Sequence, residues 1–175
     1  MPQGVALGLA AGAVVTIGVV AAIAFPTMRD LNPTLPGLEG LDDHWMLAAG
    51  MILTQGFNAT STIVGVCLAV ASIAFVSEVF FAPRPRQKLA LALRLITLLA
   101  LLAVFAHNWG VVQPRMNTNF QNLFASARSG DFDAARTFRA AFDADHPAAG
   151  RELGAIAILS FAGAILSGFS VAKHH

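Results

Sequence analysis

Glu78 is the one acidic residue set inside an apolar stretch long enough to cross a membrane, and Arg94 lies beyond a short connection from it. Glu78 stands five positions before Pro83 and Arg94 six positions after Lys88, so a hairpin of two helices brings them to the same depth. Charges in hydrocarbon are costly and are commonly paired or functional. An ion pair between Glu78 and Arg94 is therefore the simplest expectation, and a proton relay through Glu78 is the alternative. His107 is the only histidine inside an apolar span. As a haem ligand it would need a second imidazole at equal depth on a facing helix. His146, the nearest candidate, is displaced from that depth by more than about 10 Å along straight helices. Met28, His44, Met46 and Met116 offer donors that suit copper, since thioethers are soft ligands, but their spacing is irregular. The sequence thus predicts no cofactor and no metal, with His107 the remaining ligand candidate. No Ser-His-Asp arrangement and no glycine loop after a strand is present, so no catalytic residue is assigned.

Those residues are held in a chain that is 56% hydrophobic and only 12% charged, against about 25% charged for a soluble domain. Between Met1 and Met28, and again between Asp43 and Glu78, there is no Asp, Glu, Lys or Arg. A hydrocarbon core about 30 Å thick needs roughly 20 apolar helical residues. Four segments qualify, at about 5–25, 61–82, 89–112 and 153–172, ending near Pro26, Pro83 and Pro114 where prolines follow. The predicted fold is all-α: a single four-span integral membrane domain over 1–175, a four-helix bundle whose segments 26–60 and 113–152 lie outside the bilayer. Arg84, Arg86 and Lys88 crowd the short loop between the second and third spans, with Arg94 and Lys173 on the same side. The excess of positive charge in cytoplasmic loops then places this loop and both termini in the cytoplasm of a bacterial inner membrane. A net charge of +1 without a basic face excludes nucleic acid as a partner. Cys67, the one cysteine, reads as a small buried thiol.

The outer segments carry patterns of their own. Asp42 or Asp43 can cap a helix that starts near His44 and Trp45. Met116, Phe120, Leu123 and Phe124, then Phe132, Ala135, Phe138 and Phe142, recur at helical spacing on either side of Ser129-Gly130-Asp131. These describe two short amphipathic helices in a small extramembrane cap. Trp45, Phe120, Phe124, Phe132, Phe138 and Phe142 exceed what such helices bury between themselves, so they are read as contacts for a partner, with Arg136 and Arg139 as a charged rim. Gly4, Gly8 and Gly12 lie on one face of the first span, and Gly163/Ser167 and Ala164/Gly168 make small pairs in the fourth. Small residues let helices approach closely in lipid, within the bundle or between subunits. Asn58-Ala59-Thr60 matches a glycosylation sequon at the mouth of a span.

Three stretches resemble one family. Phe25-Pro26-Thr27-Met28, His44-Trp45-Met46-Leu47-Ala48-Ala49-Gly50 and Val112-Gln113-Pro114-Arg115-Met116 are similar to the four-span family catalogued as domain of unknown function 4149, related to transmembrane protein 205. The stretch from Gly130 to Pro147 is similar as well, and a four-span anthrone-oxygenase-like family has a comparable layout. The resemblance implies a fold and no activity. The expected function is that of a non-enzymatic accessory or structural subunit, which contacts lipid and other membrane protein subunits or a second copy of itself. A metal-, haem- or small-molecule-handling protein that uses His107 and the cap is the alternative, and a membrane enzyme acting on an apolar substrate comes third.

Overall fold

The computed structural model describes residues 2–81 and 88–172, with side chains to residue 168. Helix α1 spans Pro2–Leu31, α2 His44–Phe81 and α3 Lys88–His107; a π-helical stretch, Asn108–Val112, joins α3 to α4, Gln113–Arg128, and α5 spans Phe132–Ala172. With α3, the π turn and α4 running on as one, four helices are long and apolar enough to cross a membrane. No strand occurs among the described residues.

Each helix runs past the span that hydropathy assigns it. Pro26 lies inside α1, which ends only where Asn32 takes a left-handed conformation (φ 43°) and donates its N–H to Met28 O at 2.9 Å. A proline inside a helix removes one backbone bond. The helix continues through it, with Thr27 Oγ1 donating to Ile23 O at 2.8 Å, one carbonyl along from the Ala22 carbonyl that Pro26 leaves without its N–H. At Pro114 the helix widens into the π turn instead, and Gln113 N–H reaches back to Asn108 O. The wider turn keeps the pyrrolidine ring off the carbonyl it would meet in an α-helix. Pro147 lies inside α5, so the cap helix and the fourth span, separate in the sequence reading, form one helix of 41 residues.

The connector between α1 and α2 is shaped by Gly37 (φ 79°) and Asp43 (φ 58°). Asp43 O accepts the first N–H bonds of α2, from Met46 and Leu47, but its carboxylate turns to Arg139 rather than capping the helix. Between α4 and α5 the chain makes a Schellman turn: Asp131 N–H bonds Ser126 O, Gly130 N–H bonds Ala127 O, and Gly130 is left-handed at φ 81°. Asp131 Oδ1 then accepts from Ala134 N–H at 3.0 Å and starts α5.

Contacts divide the chain into two compact units. The first takes its described residues from 2–16, 60–81, 88–106 and 152–172, and its apolar centre holds Leu7, Ala10, Val64, Leu68, Leu101 and Ile156. Cys67 is buried among them. The second comprises residues 17–59 and 107–151 and is centred on Leu38, Leu41, Leu47, Phe120, Leu123 and Phe124.

Candidate functional site

Arg94 is the most deeply buried charge described, at 4% exposure. It projects from α3 and meets Glu78 of α2 through two parallel bonds, Nη1 to Oε1 at 2.7 Å and Nη2 to Oε2 at 2.6 Å. Planar guanidinium and carboxylate match in this fork, which makes it stronger than a single charged contact. Gln3 of α1 accepts from Nε at 3.0 Å and also from Nη2, so its carbonyl oxygen closes the other edge of the guanidinium. The Ser167 hydroxyl on α5 lies 3.2 Å from that same oxygen and 2.8 Å from Gly163 O, to which a helical serine ordinarily donates. The Phe75 ring lies under the guanidinium, 5.5 Å from its carbon to the ring centroid. Four helices of the first unit thus meet on one cation. Arg94, Gln3 and Ser167 are inaccessible, whereas the Glu78 side chain keeps 41% of its surface open.

Gln3 and Phe75 were not among the candidates that charge and spacing single out. Gln3 did leave a signal, since it is the only amide before residue 32 in an otherwise apolar segment. Its pairing with a residue 91 positions away is a property of the fold alone.

The small residues separate into two sets. A Cβ at Gly4 would lie 3.3 Å from Ser167 Cβ, and one at Gly163 only 2.7 Å from Leu7 Cδ1, so Gly4, Gly163 and Ser167 let α1 and α5 touch. A Cβ at Gly8, Gly12 or Gly168 meets nothing within 4 Å. Among the described residues no side chain packs on these three.

The cap aromatics require a correction. Phe120 and Phe124 are each only 8% exposed, with ring centroids 4.8 Å apart in an edge-to-face arrangement, and Phe142 lies 5.3 Å from Phe120. Phe132, Phe138 and Phe142 pack on the same cluster, and Trp45 is half-buried. Phe120 and Phe124 thus belong to the core of the second unit, with the other three phenylalanines packed against it. The spacing rule undercounted their burial because the connector carrying Leu35, Leu38 and Leu41 folds over them. Of the two arginines read as a rim, Arg136 is exposed and pairs with Asp133 at 3.0 Å. Arg139 is largely covered and bonds Asp42 O and Asp43 Oδ2 at 3.0 and 3.2 Å.

His146 lies against Phe142 with ring centroids 5.7 Å apart and the planes tilted by 47°, while His107 ends α3 with its side chain exposed. Trp109 beside it is 58% exposed, as a residue at a membrane interface would be. Among the described residues no three His, Cys, Asp or Glu side chains stand together as a metal site. The Asn58 sequon falls in the middle of α2, where Asn58 Oδ1 accepts from Gln113 Nε2 at 2.8 Å and Asn117 Nδ2 at 3.2 Å. Nearby, Arg115 makes a two-point contact with Asp145 at 2.6 and 2.5 Å.

Compared with models of known protein families, with curated proteins and with solved structures, the chain finds no match in any of the three.

Proposed function

We propose that this integral membrane protein is a non-enzymatic accessory subunit that packs beside another membrane protein, or beside a second copy of itself, within a larger assembly. One observation carries the reading. Gly8 and Gly12 are exposed positions of α1 where an added Cβ would meet none of the described residues. In lipid, such a face allows the close helix approach that drives association when hydrophobicity does not. The polar side chains give this reading further support, because Arg94 and Glu78 bind helices of the chain to each other. Membership of the four-span family that the sequence resembles belongs to the same proposal.

The membrane is proposed to be a bacterial inner membrane, with both termini and the basic loop containing Arg84 and Arg86 in the cytoplasm. The clasp supports a common side for these parts, since Gln3 near the start of α1, Glu78 and Arg94 at the hairpin, and Ser167 near the end of α5 meet at one point.

Purification from native membranes in mild detergent tests the assembly. A stoichiometric partner or a dimer is expected, crosslinked from cysteines placed at Gly8 or Gly12. Gly8→Ile and Gly12→Ile should release it without unfolding the released subunit, because neither position packs against a described residue. A monomer with no crosslinked product in native membranes refutes the reading. Alkaline phosphatase fused after Lys173 should be inactive, and an active fusion would reverse the orientation.

A further inference from the structure

His44 begins α2, and its imidazole sits between two backbone groups of the connector whose hydrogen-bonding polarity is fixed. Leu35 N–H donates to Nδ1 at 3.1 Å, and Nε2 lies 2.9 Å from Leu38 O. An amide N–H can only donate and a carbonyl can only accept. Nδ1 is therefore bare, Nε2 carries the proton, and the ring is neutral. The segment held by these two bonds covers the core of the second unit. Leu38 and Leu41 are 3% and 6% exposed, and they pack with Leu47, Phe120, Leu123 and Phe124.

We infer that His44 is an acid-sensitive latch on the cap: a proton gained at Nδ1 releases the connector and uncovers the aromatic core beneath it. The added proton turns the acceptor into a second donor facing the Leu35 N–H, so this bond is lost and two positive hydrogens oppose each other. Histidine is the side chain that ordinarily changes charge between about pH 5 and 8. The neutral ring belongs to the closed connector, so the latch holds at neutral pH and gives way as pH falls.

The surrounding charges give the imidazolium somewhere to go. On the connector are Glu39, Asp42 and Asp43. On α5, Arg139 engages Asp42 O and Asp43 and approaches Asp143 at 3.8 Å, and Arg136 reaches Gly40 O at 3.4 Å while pairing with Asp133. At the end of α4, Arg128 packs beside Gly37. Arg136 and Arg139 are engaged with Gly40 O, Asp42 O and the carboxylates of Asp43 and Asp133, whereas Glu39, whose charge is coupled to that of His44 in the closed connector, is the carboxylate that receives the imidazolium. Gly37 N–H donates to Glu39 and keeps that carboxyl below its usual range. Glu39 therefore stays ionised while a histidine titrates.

Hydrogen exchange on the full protein in lipid nanodiscs tests the latch at about pH 7.5 and about pH 5, with rates corrected for the intrinsic pH dependence of amides. Residues 35–43 should exchange about tenfold faster at the lower pH, as expected for loss of a part-buried hydrogen bond. His44→Gln keeps one donor and one acceptor but does not titrate, and its corrected exchange should be the same at both values. An unchanged rate in the wild type overturns the proposal, and so does a full acid response in His44→Gln, which would place the switch in the carboxylates. Nitrogen NMR of the histidine rings decides independently of any substitution. An Nε2–H ring assigned to His44 that becomes doubly protonated in step with the exchange supports the latch. A doubly protonated ring with the connector still closed overturns it.

Discussion

Arg94 meets Glu78 with both terminal nitrogens of its guanidinium, at 2.7 and 2.6 Å, while its remaining edge is turned to Gln3. The cation is thereby neutralised inside a bundle where water cannot solvate it. Truncating Glu78 leaves the buried guanidinium uncompensated, and Glu78→Leu is expected to cost about 3–5 kcal/mol, whereas Arg94→Leu costs less because the Glu78 side chain left behind is 41% open. The double change Arg94→Leu with Glu78→Leu should cost distinctly less than Glu78→Leu alone, a coupling that thermal unfolding in detergent can measure. Arg94→Lys should rescue poorly, because an ammonium cannot engage Gln3 and both carboxylate oxygens in one plane. Equal damage from Glu78→Leu and the double change would rule out the coupling.

Gly40 lies against the face of Phe132. A Cβ there would stand 2.5–2.6 Å from three atoms of the ring, so the aromatic must move out of the cap core to admit a methyl group. Gly40→Ala is expected to destabilise the protein by about 1–3 kcal/mol. Phe132→Leu in the same background should recover part of the loss. Chemical unfolding followed by Trp45 fluorescence reports on this region, and additive losses would refute the clash.

Ser160 presents the opposite case. It is completely inaccessible, and its hydroxyl has no hydrogen-bond partner among the described residues. Burial of an unmatched hydroxyl is unfavourable. Ser160→Ala should therefore leave the melting temperature in detergent unchanged or raise it, by up to about 1 kcal/mol in stability. A clear loss would mean that the hydroxyl is bonded after all.

Glu39 predicts an acid dependence of its own. Its folded pKa is depressed, chiefly by the Gly37 N–H, so its contribution is present above the ordinary carboxylate range and fades as pH falls through the lowered value. The stability difference between wild type and Glu39→Gln should be constant near neutrality and shrink to nothing in strong acid. A difference that grows on acidification would contradict the sign.

Composition alone determined the membrane class, because a chain with 12% charged residues cannot coat itself for water and its charge-free stretches match the thickness of a bilayer. The position of Glu78 and Arg94 about a six-residue connection was equally legible, since helical rise turns sequence distance from a turn directly into depth. Helix ends were not. Prolines mark a local loss of one backbone bond, and whether Pro26, Pro114 and Pro147 stop a helix depends on how the surrounding structure accommodates that loss, as the π turn does before Pro114. Only the tertiary structure decided which small residues pack. Gly4 and Gly8 are indistinguishable by spacing, yet one touches Ser167 and the other nothing, because helix neighbours are chosen by the whole bundle. The same holds for Gln3 and His44. Each is an ordinary polar residue in its own segment, and each acquired its role from groups the chain brings in from elsewhere: a guanidinium 91 residues away, and two backbone groups of a folded-back connector.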